Sequence, residues 1–308
     1  MRIAFFGTPD FAIPSLQMLL ENKHELFVFT QPDRPAGRHG TSCVPSPVKN
    51  YALEHGLPVF QPKNIKSEEG QAALSQITPD LMITASFGQI FSSGNLSVPR
   101  LGCINVHASL LPKYRGASPV HWAIICGETE TGITTMFTDL GMDTGDMLLH
   151  DRIAIGPDET ADELTKRLAL LGAHTLFRTL NALQHGTACR ITQDETEASF
   201  CPLLKKEHGQ LDFKQSAQNV HNQVRGTNSW PGAYVMLCDK PLKIWRTRLS
   251  DVPHTYLPGF CFPDDRGELH IACQAGSVEV LELQSAGGKR LDSRSFLRGT
   301  PLFGRILA

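Results

Sequence analysis

Short apolar runs alternate with helically spaced ones through the first half of the chain. Ile3 to Phe6 is an apolar run of strand length, Phe11 to Glu21 has helical spacing, and Glu25 to Thr30 reads as a second strand. Ser46-Pro47 supplies an N-cap followed by proline at the first helical position, so the spacing predicts a helix from Pro47 to Glu54. Leu81 to Thr84 and Cys103 to Val106 are short apolar runs bounded by turn residues, the pattern of central strands. A helix from Ser118 to Cys126, a strand from Gly132 to Thr138 and a hairpin-like return from Met147 to Ile155 follow. Thr160 and Glu163 form a capping box, and leucines at 164, 168, 171, 176, 180 and 183 keep near-helical spacing up to Gly186. This alternation predicts an α/β fold. One segment breaks it: Gln31 to Val44 is polar and turn-rich, predicts no regular element, and at fourteen residues exceeds the usual connection, a length typical of functional or disordered loops.

The last third has a different rhythm. Residues 187–204 are polar and irregular, which predicts a linker between a first domain, 1–186, and a second, 205–308. After a helix-like stretch from Ala217 to Arg225 come five short runs: Ala233 to Leu237, Leu242 to Arg248, Gly259 to Phe262, Leu269 to Cys273 and Val278 to Leu283. Five strands separated by turn signals predict a small OB-like β-barrel.

Composition narrows the classes. With 308 residues, 41% hydrophobic and 19% charged, the chain is neither disordered nor collagen-like. No apolar run approaches the ~20 residues needed to span a bilayer. The opening run Ile3 to Phe6 is too short for a signal segment and meets a turn at Gly7-Thr8-Pro9-Asp10, so a cytoplasmic protein is expected, with no membrane partner. Eight scattered cysteines without a Cys-x-x-Cys pair argue against zinc and disulfide scaffolds, and no metal is expected. The net charge of −2 conceals an asymmetry. Up to Leu204 there are 15 Lys and Arg against 21 Asp and Glu, and beyond it 14 against 10, giving −6 and +4.

The first turn, Gly7-Thr8-Pro9-Asp10-Phe11, lacks the second and third glycines of a dinucleotide fingerprint, which argues against an NAD or FAD site. The strongest constellation is Asn105-x-His107 at the carboxyl end of a predicted strand, with Asp143 on a later turn, because open α/β sheets gather ligands at that end. These side chains suit acyl transfer to an amine. A carboxamide donates to the oxyanion of a tetrahedral intermediate, an imidazole moves protons near neutral pH, and a carboxylate fixes the imidazole or accepts the amine proton.

The run from Asn105 through His107 and Ser109-Leu110-Leu111-Pro112 to Arg115-Gly116, followed by Leu140-Gly141-Met142-Asp143-Thr144-Gly145-Asp146, resembles the folate-dependent formyltransferases. Gly7 to Phe11, Gln31 to Arg38, Pro45 to Lys49, Trp230 to Ala233, Lys243 to Trp245 and Leu283 to Lys289 are similar to the branch that formylates methionyl-tRNA, and the likeness covers nearly the whole chain. The resemblance implies a Rossmann-like catalytic domain, an OB-like tRNA-binding domain, 10-formyltetrahydrofolate as formyl donor and initiator methionyl-tRNA as acceptor. It implies Asn105, His107 and Asp143 as the catalytic residues and Ser109, Leu110, Leu111 and Pro112 as the folate lining. Arg34 and Arg38 in the long loop, with Lys205, Lys206, Lys243 and Arg246 in the basic second domain, are the candidate phosphate contacts. Trp230 and Trp245 could stack on bases, but core packing is the expected role for both. The chain departs from its relatives at His39 to Cys43, where lysines are usual, and in Ser86-Phe87-Gly88, where a tyrosine often precedes the glycine. A monomer is expected. A sugar nucleotide, a small amine or water remains open as the acceptor of the same chemistry, and a non-catalytic RNA-binding protein is the rival from another class. The basic half and the arginine loop favour tRNA; the intact Asn105, His107 and Asp143 set favours an enzyme.

Overall fold

The computed structural model describes residues 1–36 and 42–307, which fall into two compact units that interleave along the chain. Unit 1 comprises Met1–Gly116, Gly132–Ile153 and Thr165–Phe200; unit 2 comprises Ala117–Thr131, Ala154–Leu164 and Cys201–Ala308.

Seven strands form the sheet of the first part: β1 (Arg2–Gly7), β2 (Glu25–Phe29), β3 (Val59–Phe60), β4 (Leu81–Ala85), β5 (Cys103–His107), β6 (Glu130–Phe137) and β7 (Met147–Ala154). Their order is β7-β6-β5-β4-β1-β2-β3, with β1 parallel to both β2 and β4, β4 parallel to β5, and β5 antiparallel to β6. The parallel strands are apolar on both faces because helices cover both, so β4 is buried along its whole length. Phe6, Phe29, Phe87 and Phe91 pack by stacked and edge contacts above β1. The chain leaves β1 in one direction and returns to β4 on the other side. That reversal opens a crevice at the carboxyl ends of β1 and β4. This is the Rossmann-like sheet expected.

The helices are α1 (Ile13–Glu21), α2 (Pro47–Glu54), α3 (Glu68–Ile77), α4 (Ser93–Leu96), α5 (Pro119–Ile125), α6 (Ala161–Gln184), α7 (Ala217–Gly226) and α8 (Ser293–Gly299). Ser46 Oγ accepts from the Lys49 amide and caps α2, as its position before proline predicts. Two features depart from the sequence reading. The long loop is not wholly irregular, because Arg34–Ala36 and Ser42–Val44 pair as a short antiparallel hairpin. And α3, missed by periodicity, is set by its cap: Ser67 accepts from the Gly70 amide, with Glu68 and Glu69 in the first turn.

Unit 2 is built on six antiparallel strands: β8 (Tyr234–Leu237), β9 (Lys240–Ser250), β10 (Cys261–Pro263), β11 (Leu269–Ala272), β12 (Ser277–Ser285) and β13 (Leu291–Asp292). They curl into a half-barrel ordered β8-β9-β12-β11-β10, with β13 on β12. Alternate residues such as Leu242, Ile244, Val278 and Val280 fill its core with Val220 and Val224 of α7. The register slips between Ile244 and Thr247, so Trp245 sits on a bulge. Within this unit α5 packs closely on α7: a Cβ on Gly226 would lie 2.6 Å from Ile125.

Candidate active site

Asn105 and His107 are two residues apart on β5, so their side chains leave the same face of the sheet. His107 is 5% exposed and its Nε2 lies 3.0 Å from the Tyr114 carbonyl. A carbonyl only accepts, so Nε2 carries the proton and Nδ1 is the nitrogen turned toward Asp143, 3.7 Å from its Oδ2. The tautomer of His107 is therefore fixed by the Tyr114 backbone, which was one of the two tasks the sequence reading left open for the carboxylate. Asp143 Oδ1 accepts from Asn105 Nδ2 at 3.3 Å and Oδ2 from the Gly116 amide at 2.9 Å. The three expected residues meet in one place.

The turn that carries Asp143 is tightly constrained. Asp143 has φ +55°, in the left-handed region, and Tyr114 has φ +59°. Asp139 accepts from the Gly141 amide and the Thr144 hydroxyl, closing the loop on itself. Gly145 has to be glycine, because a Cβ there would fall 1.9 Å from the Phe137 carbonyl oxygen. Residues 187–204, expected as a linker, pack in their first part against this turn. Gln193 donates to the carbonyls of Asp143 and Gly145, and Arg115, 1% exposed, donates to Gln193 and to both oxygens of Glu195. The Glu195 carboxylate beside it raises the Arg115 pKa, and that pairing in turn holds the Glu195 carboxyl below its ordinary value. No local pattern in the sequence marks Gln193 or Glu195.

Beside the turn lies a cavity of about 630 Å³ with apolar walls from Leu96, Cys103, Phe137 and Leu183, polar groups at Thr138 and Asp139, and Arg100 and Arg190 on its lining. Burial pushes the Cys103 thiol up to about 12, so it lines the cavity as a neutral thiol. Ser109 to Pro112 do not line this cavity. Ser109, Leu111 and Pro112 are buried, Ser109 Oγ donates to the Lys113 carbonyl, and Thr134 ties the Ser109 carbonyl and the Leu111 amide to β6. At the base of the long loop, Asp33 is held by Lys49 at 2.6 Å and Gln61 at 2.7 Å, which lowers its pKa through the Gln61 hydrogen bond first and the Lys49 hydrogen bond next. Two of the sequence motifs thus meet as one anchor.

Family models for formyl transferase and for the formyl transferase C-terminal domain match residues 1–180 and 203–301. A methionyl-tRNA formyltransferase of Ruminiclostridium cellulolyticum is 47% identical over 98% of this chain and 97% of its own length, and one of Geobacter metallireducens is 48% identical over 98% and 96%. The chain belongs to the methionyl-tRNA formyltransferase family. The fold also matches a sugar 3N-formyl transferase, WlaRD, solved with dTDP and 5-N-formyl-THF, at TM-score 0.69 and 21% identity over 94% of this chain and 99% of that one. HypX from Aquifex aeolicus in complex with tetrahydrofolic acid matches at TM-score 0.65 and 17% identity, over 99% of this chain and 48% of that one.

The residues expected to hold the family's RNA substrate lie on exposed surface for the most part. Arg34 is exposed in the hairpin, and Arg38 lies outside the described residues. In unit 2, Lys205 and Lys206 are exposed, Lys243 lies 4.9 Å from the Trp245 ring with Arg290 at 5.1 Å, and Arg246 pairs with Glu163. Trp230 is 54% exposed and is no core residue. Among the described residues no group of three or more His, Cys, Asp or Glu could hold a metal, and no helix is long and apolar enough to cross a membrane.

Proposed function

We propose that Asn105, His107 and Asp143 carry out the family's reaction in this chain, moving the formyl group of 10-formyltetrahydrofolate to the α-amino group of methionyl-tRNA. The supporting observation is the meeting of these three polar side chains at the carboxyl end of β5, with Asp143 on a turn whose next residues, Thr144 to Asp146, line a cavity of cosubstrate size. The amine nitrogen attacks the formyl carbon with His107 in its charged form, in which Nε2 still donates to the Tyr114 carbonyl and Nδ1 also carries a proton, and the oxyanion that develops accepts hydrogen bonds from Asn105 Nδ2 and His107 Nδ1. Asp143 stabilises the imidazolium and takes the proton the amine loses. The carbon–nitrogen bond to the donor then breaks as its nitrogen takes that proton from Asp143, which restores the carboxylate, and tetrahydrofolate and formylmethionyl-tRNA leave.

The donor's pterin fits between Leu96, Cys103 and Phe137, with Thr138 and Asp139 for its polar edge and Arg100 and Arg190 for its carboxylates. Arg34, Lys205, Lys206, Lys243 and Arg246 are cations placed for phosphates, with Trp230 open for base stacking. The test is to incubate the chain with 10-formyltetrahydrofolate and methionyl-tRNA and measure formylmethionine after deacylation. Product is expected, with the turnover of Asn105→Ala reduced by about 10²–10³, the effect of deleting one oxyanion donor. Equal turnover by Asn105→Ala would remove Asn105 from the reaction, and formylation of a small amine or water in place of the tRNA would overturn the acceptor.

A further inference from the structure

We propose that Gln193 is a positioning residue for this transfer, its amide holding the Asp143 turn in the conformation that aims the carboxylate at Asn105 and His107. The proposal rests on the catalytic reading of Asp143 given above. Gln193 is 5% exposed, and its Nε2 lies 2.8 Å from the carbonyl oxygens of both Asp143 and Gly145. Its Oε1 accepts from Arg115 Nε at 3.0 Å, and the other guanidinium nitrogens grip the two oxygens of Glu195 at 2.9 and 2.8 Å. Of the amide's two donors and its oxygen, each has a partner. Only a primary amide provides two N–H donors on one atom with an acceptor beside them; glutamate lacks the donors and lysine the acceptor.

The same segment also holds the other half of the site. Ser199 Oγ accepts from the Tyr114 amide at 2.9 Å, and the Ser199 carbonyl accepts from the Arg115 amide at 2.8 Å. Tyr114 is the residue whose carbonyl fixes His107. Residues 193–199 thus secure two left-handed residues, one bearing the catalytic carboxylate and one orienting the imidazole. Positioning acts on the reacting geometry rather than on substrate affinity, and a misplacement of an ångström carries a large rate penalty.

The experiment is a double-mutant cycle on the full chain with both substrates saturating. Gln193→Leu is expected to lower kcat by about tenfold to a hundredfold while leaving each KM within about twofold. In an Asp143→Asn background the same change is expected to lower kcat by less than about twofold, because the group it positions is already gone. Losses that multiply in the double variant would overturn the proposal, as would unchanged kcat in Gln193→Leu. Unchanged kcat in Asp143→Asn would instead overturn the catalytic reading beneath it. Should Gln193→Leu fail to fold, Gln193→Glu keeps the acceptor for Arg115 and loses both donors. Its kcat relative to the unaltered chain is expected to rise as the pH falls and the new carboxyl gains a proton to donate; a flat ratio would overturn the proposal.

Discussion

The turn around Asp143 and the cationic surface of unit 2 use the same kinds of side chain in opposite ways. At the turn, Arg115 is 1% exposed and every nitrogen of its guanidinium has an acceptor, while on the half-barrel Arg246 is about 43% exposed and meets a single carboxylate that is itself half in water. A buried polar group without a partner costs more than its hydrogen bond is worth, so the turn tolerates no vacancy and fixes one geometry. Exposed cations keep their hydration, contribute little to the fold and stay available to phosphates. Chemistry needs the first arrangement. Holding a large polyanion needs only the second.

Matched substitutions separate the two most sharply. Arg115→Met leaves Gln193 Oε1 buried without a donor, while Glu195, 69% exposed, turns into water. The expected loss is about 1–3 kcal/mol of stability, read from the urea midpoint. Arg246→Met, which opens the exposed pair with Glu163, is expected to cost less than about 1 kcal/mol. Equal losses would erase the distinction. On the binding side the contrast reverses. Replacing Lys205 and Lys206 together by alanine is expected to leave stability unchanged, weaken tRNA binding several-fold at low salt and reduce the slope of log K against log salt by about two. A slope identical to that of the unaltered chain would take those lysines off the RNA.

The sequence announced the site more fully than it announced what supports it. Asn105 and His107 were legible because they close an apolar run of strand length, and the end of such a strand is where a sheet presents side chains. Asp143 followed from its motif and not from any periodicity. Arg115 was legible only as part of the motif that opens at Asn105, without a role, and Gln193 carried no mark at all: it reaches Asp143 across fifty residues from irregular backbone, and neither period 2 nor period 3.6 registers a contact of that kind. The polar composition of 187–204 reads as a tether for the same reason, because irregular backbone packed on a turn and irregular backbone in water share a composition. Ser109 to Pro112 were placed by resemblance in the donor site; the structure adds that Ser109, Leu111 and Pro112 are buried and that Thr134 of β6 holds the Ser109 carbonyl and the Leu111 amide, a contact no periodicity announces. For α3 the cap outweighed a weak apolar stripe, since Gln71, Ser75 and Gln76 dilute the pattern.

Unit 2 also contains one buried polar network, and it offers the gentlest way to blur the comparison. His221 is 2% exposed; its Nε2 donates to the Pro157 carbonyl at 3.0 Å, so its Nδ1 is the acceptor for the Thr247 hydroxyl, also at 3.0 Å. Arg225 beside it is held by Asn222 and by the carbonyls of Gly156 and Glu159. Burial lowers the His221 pKa below its usual 6.5, the Pro157 carbonyl opposes that shift, Arg225 adds to it, and Asp158 opposes it. The folded chain therefore binds this proton less readily than the unfolded one. Its contribution to stability is intact above the ordinary imidazole value and is lost as the pH falls below it. Thermal midpoints are expected to decline between pH 7 and pH 5, with a shallower decline in His221→Gln, which has no proton to gain. The glutamine variant should start lower at pH 7, because it cannot serve Pro157 and Thr247 in the geometry the ring provides. Parallel pH profiles for the two proteins would show that the network yields to protonation without cost, and would make it resemble the open cationic surface rather than the turn around Asp143.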